Sequence, residues 1–182
     1  MQRAVFLDRD GTINREIGYL YKIEDFEFLP GVPEAIRLLN ESGYQVVVVT
    51  NQAGIARGYY RENDVDLLHD YINGELQKTG ARIDAFYFCP HHPIAGQGPY
   101  RIDCDCRKPK PGMILKASEA LGIDPSRSFM IGDKNDDLLA GWRAGCSPIL
   151  VKTGYGRIQS PLDFEIRQAD TLLSAVRDII LL

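Results

Sequence analysis

The sequence lacks long apolar runs, a marked excess of either charge and the cysteine density of a disulfide-bonded protein. Its apolar runs, such as Val46–Val49, are much shorter than the roughly 18 to 20 residues that a membrane-spanning helix needs. Near the amino terminus, Asp8 comes too early for the apolar core of a secretory signal, which takes about 7 to 15 residues. These absences predict neither a membrane segment nor export, so we expect a cytoplasmic protein.

The composition is that of a folded domain. Hydrophobic residues make up 45% of the 182 residues, which is enough for a core, and the length is close to that of a typical domain. The 21 basic residues are outnumbered by 25 acidic ones, which argues against a basic surface for nucleic acid. We therefore expect a single domain over residues 1–182 that contacts neither nucleic acid nor membrane.

Short strand-like runs alternate with helical patterns along the chain. The predicted strands are Ala4–Leu7, Tyr44–Val49, Ile83–Phe88, Phe129–Ile131 and Ile149–Val151. The predicted helices are Pro33–Ser42, Asn63–Lys78, Pro111–Leu121, Asp136–Ala144 and Leu172–Leu181. This alternation predicts an α/β fold, a doubly wound and mostly parallel sheet with helices on both faces. No gap between the elements is long enough for a large cap domain.

Acidic residues follow two of the predicted strands. Asp8 and Asp10 follow the first strand, Gly11 then permits a sharp turn, and Asp133 follows the fourth strand. Ligands of open parallel sheets bind beyond the carboxyl ends of the strands. If these three carboxylates come within about 4 Å, each ionised pair repels by roughly 4 kcal/mol at an effective dielectric constant of about 20. Protons or a cation must relieve that repulsion, and a site with few carboxylates favours Mg²⁺.

Two other interpretations apply to the first acidic segment. Taken alone, Asp8–Thr12 is as consistent with an ordinary Asx turn as with a metal site. An EF-hand calcium loop is excluded, because its sixth and twelfth positions require Gly and Glu but hold Ile13 and Tyr19 here.

Four short motifs, in order over residues 8–137, resemble those of the haloacid dehalogenase superfamily. They are Asp8-Arg9-Asp10-Gly11-Thr12, Thr50 closing an apolar strand, Lys108 before a helix, and Gly132-Asp133 with Asp137 four residues later. The resemblance implies a Rossmann-like phosphatase fold with a catalytic Mg²⁺. It implies that Asp8 is the nucleophile that forms an aspartyl-phosphate and that Asp10 is the acid and base. It also implies that Thr50 and Lys108 bind the phosphoryl group, and that the Mg²⁺ ligands are Asp8, Asp10 and Asp133.

Simpler interpretations exist for three of the charged residues. In the basic run 107–110, Lys108 could be a solvated charge. Lys134 could contact substrate or pair with Asp136. For Asp137 we favour support of the metal ligands over direct ligation, with capping of a helix as the alternative.

A cysteine and histidine cluster indicates a second metal site. Cys89, His91, Cys104 and Cys106 offer the four protein ligands of a closed, structural Zn²⁺ site. The loop between the two pairs is rich in glycine and proline, so a metal would help to order it. Alternatives are metal-free thiols, a Cys89–Cys104 disulfide, or His92 as the fourth ligand. Cys146 is expected to lie in the core.

This loop, at 89–106, makes the resemblance more specific, because it is typical of the branch that contains heptose bisphosphate phosphatases and histidinol-phosphatases. It implies a monomer that removes the 7-phosphate of a heptose 1,7-bisphosphate during lipopolysaccharide synthesis; histidinol phosphate is the alternative substrate. The implied substrate contacts are Glu16, Ile17, Gly18, Tyr19, Asn51, Gln52, Ala53, Arg107 and Lys134. Among them, Arg107 is expected to bind the non-reacting phosphate. A catalytically silent, zinc-stabilised binding module is the alternative outside enzymes.

Overall fold

Six parallel strands form one sheet in the computed structural model, which describes residues 1–182. The strands are β1 (Ala4–Leu7), β2 (Gln45–Asn51), β3 (Ala85–Cys89), β4 (Phe129–Gly132), β5 (Ser147–Val151) and β6 (Arg167–Ala169). Their order across the sheet is β3-β2-β1-β4-β5-β6. The chain therefore starts in the middle, adds β2 and β3 on one side, and then returns past β1 to add the other three strands.

Helices connect the strands and cover both faces of the sheet. They are α1 (Val32–Glu41), α2 (Ala53–Ala56), α3 (Glu62–Gln77), α4 (Gly112–Leu121), α5 (Asn135–Ala144) and α6 (Leu172–Ala175). A π-helical segment over Val176–Ile180 continues α6. The predicted doubly wound α/β fold is confirmed, and the connections contain no large cap domain. None of the helices is both long and apolar enough to cross a membrane.

The apolar strands are explained by burial on both faces. In β1, Val5 and Leu7 belong to the core under α1, α3 and α6. Ala4 and Phe6, which point the other way because side chains alternate along a strand, belong to the core under α4 and α5. A strand covered on both faces has no solvent side, so its sequence is continuously apolar.

Two short elements and several boundaries differ from the sequence-based expectation. Helix α2 and strand β6 were not expected, since one has four residues and the other has three, two of them exposed. Strand β2 continues to Asn51, so Thr50 lies within the strand instead of after it. The last predicted helix begins at Leu172 as expected but becomes π-helical after Ala175.

Candidate active site

A polar cavity of about 340 Å³ lies beyond the carboxyl ends of β1, β2 and β4. This is where the direction of winding reverses, the usual place for a ligand in an open α/β sheet. All four residues predicted to be catalytic line it, namely Asp8, Asp10, Thr50 and Lys108. Eight of the nine predicted substrate contacts line it as well. The ninth, Ile17, does not line the cavity, and its side chain is exposed.

Lys108 lies between two carboxylates on the floor of the cavity. Its Nζ is 2.7 Å from Asp8 Oδ1 and 2.7 Å from Asp137 Oδ1, and it donates to the Val49 carbonyl at 2.7 Å. Burial alone would lower the pKa of Lys108, but the charges of Asp137 and Asp8 raise it above its ordinary value. The residue is therefore a buried ammonium ion in contact with the predicted nucleophile, and not a solvated charge.

Three buried carboxylates converge beside this lysine. Asp8, Asp133 and Asp137 each place an oxygen within 4.8 Å of the others. Burial first, and then the charges of Asp8 and Asp137, raise the pKa of Asp133. Its Oδ2 accepts a hydrogen bond from the Tyr155 amide at 2.8 Å, while its Oδ1 is buried without a partner. A divalent cation would bind such an unpaired carboxylate oxygen and would neutralise the repulsion among the three carboxylates.

Two glycines make room for this carboxylate group. Gly11 and Gly154 both have positive φ angles, and a Cβ built on either one would overlap the side chain of Asp133. The expected sharp turn at Gly11 is therefore also a point of close approach, at which any side chain would collide with the site.

The carboxylate of Asp10 is not part of that group. Arg9 is fully buried and binds it through its guanidinium at 3.1 Å, and the amides of Asn14 and Gln52 donate to it at 3.0 and 3.1 Å. Asp137 thus occupies the position in the cluster where the side chain of Asp10 was expected. Although burial raises the pKa of Asp10, Arg9 and the two amides together lower it below its ordinary value.

Arg9, which lies between Asp8 and Asp10 in the sequence, is buried inside the site. The sequence holds a signal for this burial. A buried arginine needs a carboxylate partner, and Arg9 has an aspartate on either side. It also contacts Nε2 of His69 at 3.4 Å. Burial and the charge of Arg9 lower the pKa of His69 to about 3, so this histidine is a neutral core residue.

Asn51 holds the main chain of Lys108. Its Nδ2 donates to the Lys108 carbonyl at 3.1 Å, and its Oδ1 accepts from the Lys108 amide at 3.0 Å. The neighbouring Arg107 donates to the carbonyl of His91 at 3.2 Å. The end of β2 and the cysteine-containing loop therefore fix the segment that carries both basic residues.

Two charged residues from different loops meet at the rim of the cavity. Lys134 lies 3.3 Å from Glu16 and 4.8 Å from the ring centre of Tyr155, so its observed partner is Glu16 instead of Asp136. Glu16 also accepts from the Gly18 amide at 2.8 Å. Tyr19 has a positive φ of 52° and packs edge-on against Tyr59.

The four predicted zinc ligands come together at the end of β3. The Sγ atoms of Cys89, Cys104 and Cys106 are 3.1 to 3.5 Å apart. Nδ1 of His91 is 3.4 Å from Cys106 and 3.8 Å from Cys89. Ligands of a tetrahedral zinc site with Zn–S bonds of about 2.3 Å are separated by about 3.5 to 4 Å. The donor set therefore fits Zn²⁺, with the sulfur atoms at or slightly below this separation.

The alternatives at this cluster fit less well. All four cysteines are free, so no disulfide joins Cys89 and Cys104. Nδ1 of His92 accepts from the amides of Ile94 and Ala95, so it is occupied within its own loop. Hydrogen bonding with Cys89, and then with its other neighbours, lowers the pKa of Cys106, which favours the thiolate form that binds metals. Cys146 is buried in the core, as expected.

Comparisons with known proteins agree on one family. A model described as HAD-hydrolase-like matches residues 105–179. The D-glycero-beta-D-manno-heptose-1,7-bisphosphate 7-phosphatase of Pasteurella multocida is 46% identical over 98% of this chain and 95% of that protein. The Escherichia coli K12 protein of the same name is 43% identical over 97% and 91%. The crystal structure of D,D-heptose 1,7-bisphosphate phosphatase from B. bronchiseptica, complexed with magnesium and phosphate, has a TM-score of 0.88 at 33% identity, with 98% of each chain covered.

Proposed function

We propose a function from the premise that the chain belongs to the heptose bisphosphate phosphatase family of the HAD-like hydrolases. It is a phosphoric monoester hydrolase that removes the 7-phosphate of D-glycero-D-manno-heptose 1,7-bisphosphate and leaves the heptose 1-phosphate. The observation that carries the proposal is the convergence of the carboxylates of Asp8, Asp133 and Asp137 beside Lys108. Asp8, Lys108 and Asp137 line the polar cavity, and Asp133 is buried directly behind it. All of these groups come from one chain, so the site needs no second subunit, and we propose a monomer.

The first half of the reaction transfers the phosphoryl group to the protein. An oxygen of Asp8 attacks phosphorus, and the bond to the sugar oxygen breaks as an aspartyl-phosphate forms. Lys108, at 2.7 Å from Asp8, stabilises negative charge that develops on the phosphoryl oxygens. Thr50, at the end of β2, donates a hydrogen bond from its hydroxyl to an oxygen of the same group.

Asp10 handles the protons on the side of the leaving group. Its carboxylate reaches the cavity, where its side chain is 16% exposed, and the negative charge of a bound phosphate favours its protonated form. It gives that proton to the departing sugar oxygen. The carboxylate that results takes a proton from water, which attacks the aspartyl-phosphate and releases inorganic phosphate.

A magnesium ion fits the carboxylate group, because Oδ1 of Asp133 is buried and unpaired among repelling charges. We propose that Asp8, Asp10 and Asp133 hold it; the side chain of Asp10 faces Arg9, so its contribution would have to come from its main chain. When bound, Mg²⁺ neutralises and orients the phosphate. We further propose that Zn²⁺ binds Cys89, His91, Cys104 and Cys106 and holds the loop that leads to Lys108.

The direct test is phosphate release from both anomers of the heptose 1,7-bisphosphate, with Mg²⁺ or with a chelator, beside histidinol phosphate at the same concentrations. We expect Mg²⁺-dependent release from the bisphosphate, with one phosphate left on C1 by phosphorus NMR. A clear preference for histidinol phosphate would replace the proposed substrate. Absence of release from every phosphate ester would favour a non-enzymatic binding module.

Arg107 is proposed to bind the 1-phosphate. Arg107→Ala should raise the KM for the bisphosphate but leave the KM for heptose 7-phosphate, which lacks the second phosphate, nearly unchanged. Arg101→Ala is the matched control, because Arg101 is an exposed residue of the same loop that does not line the cavity. An equal effect of Arg107→Ala on both substrates would remove this assignment.

A further inference from the structure

Gln52 lies at the end of β2 and makes four hydrogen bonds inside the protein. It is 2% exposed. Its Nε2 donates to Oγ1 of Thr50 at 2.9 Å and to Oδ2 of Asp10 at 3.1 Å. Its Oε1 accepts from the Tyr60 hydroxyl at 2.7 Å and from the Arg9 guanidinium at 3.3 Å. An amide has two N–H groups and two lone pairs on its oxygen, so this side chain has no capacity left for a substrate.

The chemistry of the neighbours fixes which way the amide faces. An ionised Asp10 only accepts hydrogen bonds and Arg9 only donates them. The amide nitrogen must therefore face Asp10, and the amide oxygen must face Arg9. A rotation by 180° would set the amide oxygen against the carboxylate and the nitrogen against the guanidinium.

The orientation of the amide has a consequence for Thr50. The Thr50 hydroxyl accepts a hydrogen bond from Gln52, so its own proton is not used by that contact, and the residue lines the cavity. If an acceptor faced Thr50 instead, the hydroxyl would donate to that acceptor and would turn a lone pair toward the phosphate. The lone pair of the hydroxyl oxygen and the negatively charged phosphate would then repel each other.

We propose that Gln52 is a positioning residue that sets Thr50 as a hydrogen-bond donor to the phosphoryl group and holds the carboxylate of Asp10, with Tyr60 and Arg9 fixing the amide. This inference rests on the proposed function, because that function makes Thr50 and Asp10 the reacting groups. It differs from the sequence-based expectation that Gln52 contacts substrate.

The isosteric variant Gln52→Glu removes the donor and adds a negative charge beside Asp10, and Gln52→Met removes the donor without adding a charge. Gln52→Glu keeps acceptor oxygens toward Tyr60 and Arg9 but replaces the N–H groups that face Thr50 and Asp10. We expect kcat to fall on the order of 100-fold in Gln52→Glu, because the Thr50 hydroxyl would then donate to the introduced carboxylate and would no longer donate to the developing negative charge, with KM within about twofold. Gln52→Met leaves the hydroxyl free to rotate, so its kcat should fall less, by about tenfold.

Tyr60→Phe is the mild variant that keeps the fold. It removes one neutral hydrogen bond to Oε1, so we expect a loss in kcat of about three- to tenfold and no change in KM. The matched control is Tyr59→Phe, because Tyr59 is the adjacent tyrosine, is 54% exposed and does not line the active-site cavity. It should retain the activity of the wild type.

A double-mutant cycle tests whether Gln52 acts through Thr50. With the hydroxyl absent in Thr50→Val, the added effect of Gln52→Met on kcat should be smaller than in the wild type, because only the part that acts through Asp10 remains. Effects that multiply, or a raised KM with unchanged kcat, would overturn the inference. Circular dichroism of each variant checks the fold.

Binding of orthovanadate, which mimics pentacovalent phosphorus, gives a readout without turnover. By calorimetry in Mg²⁺, Gln52→Glu should weaken its affinity at least tenfold, and equal affinities would overturn the inference. The proposed substrate is tested separately. If the wild type hydrolyses p-nitrophenyl phosphate but not heptose bisphosphate, the substrate proposal fails, and the same variants still test Gln52.

Discussion

At the scale of single residues, the site depends on charges that are buried in contact with one another. Lys108 is 3% exposed and Asp8 is 5% exposed, and a buried charge is stable only if an opposite charge or a hydrogen bond compensates it. Removing one partner leaves the other unpaired. Effects on turnover and on stability must therefore be measured separately for each variant.

Asp8→Asn should abolish phosphate release, because an amide oxygen is a far weaker nucleophile than a carboxylate. We expect a loss of more than about 10³-fold in kcat, of the size seen when a catalytic nucleophile is removed. The measurement is phosphate release from the bisphosphate, with thermal unfolding to verify the fold. Asp66→Asn, at an exposed position of α3, is the control, and substantial turnover by Asp8→Asn would remove Asp8 from the nucleophile role.

Some contacts between individual side chains could not be predicted from the sequence. The pairing of Asp8 with Lys108 spans 100 positions, and only the family motifs suggested it. The spacing of Asp8 and Asp10 predicted that both side chains would share the carboxylate group, but the buried guanidinium of Arg9 binds Asp10 instead. The contact between Tyr60 and Gln52 has no sequence signal, because it depends on the path of α2, which was not expected.

At the scale of elements, the loop over residues 89–106 joins the sheet to the segment that carries Lys108. One predicted zinc ligand, Cys89, ends β3, while Cys104 and Cys106 lie just before Arg107 and Lys108. Hydrogen bonds from Gln97 to Ala56 and from Tyr100 to Glu62 also tie the loop to α2 and α3. A metal at the cluster would connect the end of β3, through Cys89, to the segment that precedes Lys108, through Cys104 and Cys106.

Cys104→Ser should lower the zinc content and the thermal stability together, because an alcohol is a poor zinc ligand and the loop loses its tie. Zinc per chain is measured by elemental analysis, and unfolding by calorimetry. Cys146→Ala is the control, since this cysteine is buried outside the cluster; it should cost some stability and leave the zinc content unchanged. An unaltered ratio of zinc to protein in Cys104→Ser would count against the zinc site.

Two glycines in helices should respond in opposite ways to the same substitution. A Cβ at Gly112, the first residue of α4, would overlap the main-chain carbonyl of Asp105, so Gly112→Ala should destabilise by about 1 to 3 kcal/mol. Gly74, inside α3, has open space around it, so Gly74→Ala should stabilise by about 0.5 to 1 kcal/mol. Urea unfolding measures both, and equal effects would refute the close contact at Gly112.

Elements with strong patterns could be predicted, and weakly patterned ones could not. The four consecutive valines of β2 predicted a strand buried on both faces, and the structure confirms it. Helix α3 was predicted within one residue at each end, because its apolar spacing and Gly80 mark its length. Strand β6 has one buried residue, so no periodicity distinguishes it from a loop.

At the scale of the whole molecule, the carboxylate group makes stability depend on pH and on metal. Burial and the charges of Asp8 and Asp137 raise the pKa of Asp133 above 3.8 in the folded chain. Between pH 3.8 and that raised value, the folded chain binds a proton that the unfolded chain has released. The free energy of unfolding of the metal-free protein therefore decreases as pH rises through this range.

Asp133→Asn should remove the part of that dependence that Asp133 contributes; the pKa of Asp137, raised by burial and by Asp8, leaves a smaller part in the variant. In chelator, the melting temperature of the wild type relative to the variant should fall as pH is raised from about 5 to about 8. Mg²⁺ at the higher pH should restore the wild type, by about 2.7 kcal/mol at 100 times its dissociation constant, and should have little effect on the variant. Differential scanning fluorimetry gives the melting temperature of both proteins against pH, in chelator and in Mg²⁺. Parallel curves for the two proteins in chelator would contradict the prediction.

The end of β2 assigns three adjacent residues to three different tasks, since Thr50 faces the cavity, Asn51 holds Lys108 and Gln52 holds Asp10. An insertion or deletion of one position there would misplace all three at once, and no single exchange elsewhere could repair them. Selection should therefore keep the length of this segment fixed and tolerate few substitutions at any of the three positions. Deep mutational scanning with phosphate release as the readout would show low tolerance at these three codons and none for insertions or deletions of one residue there.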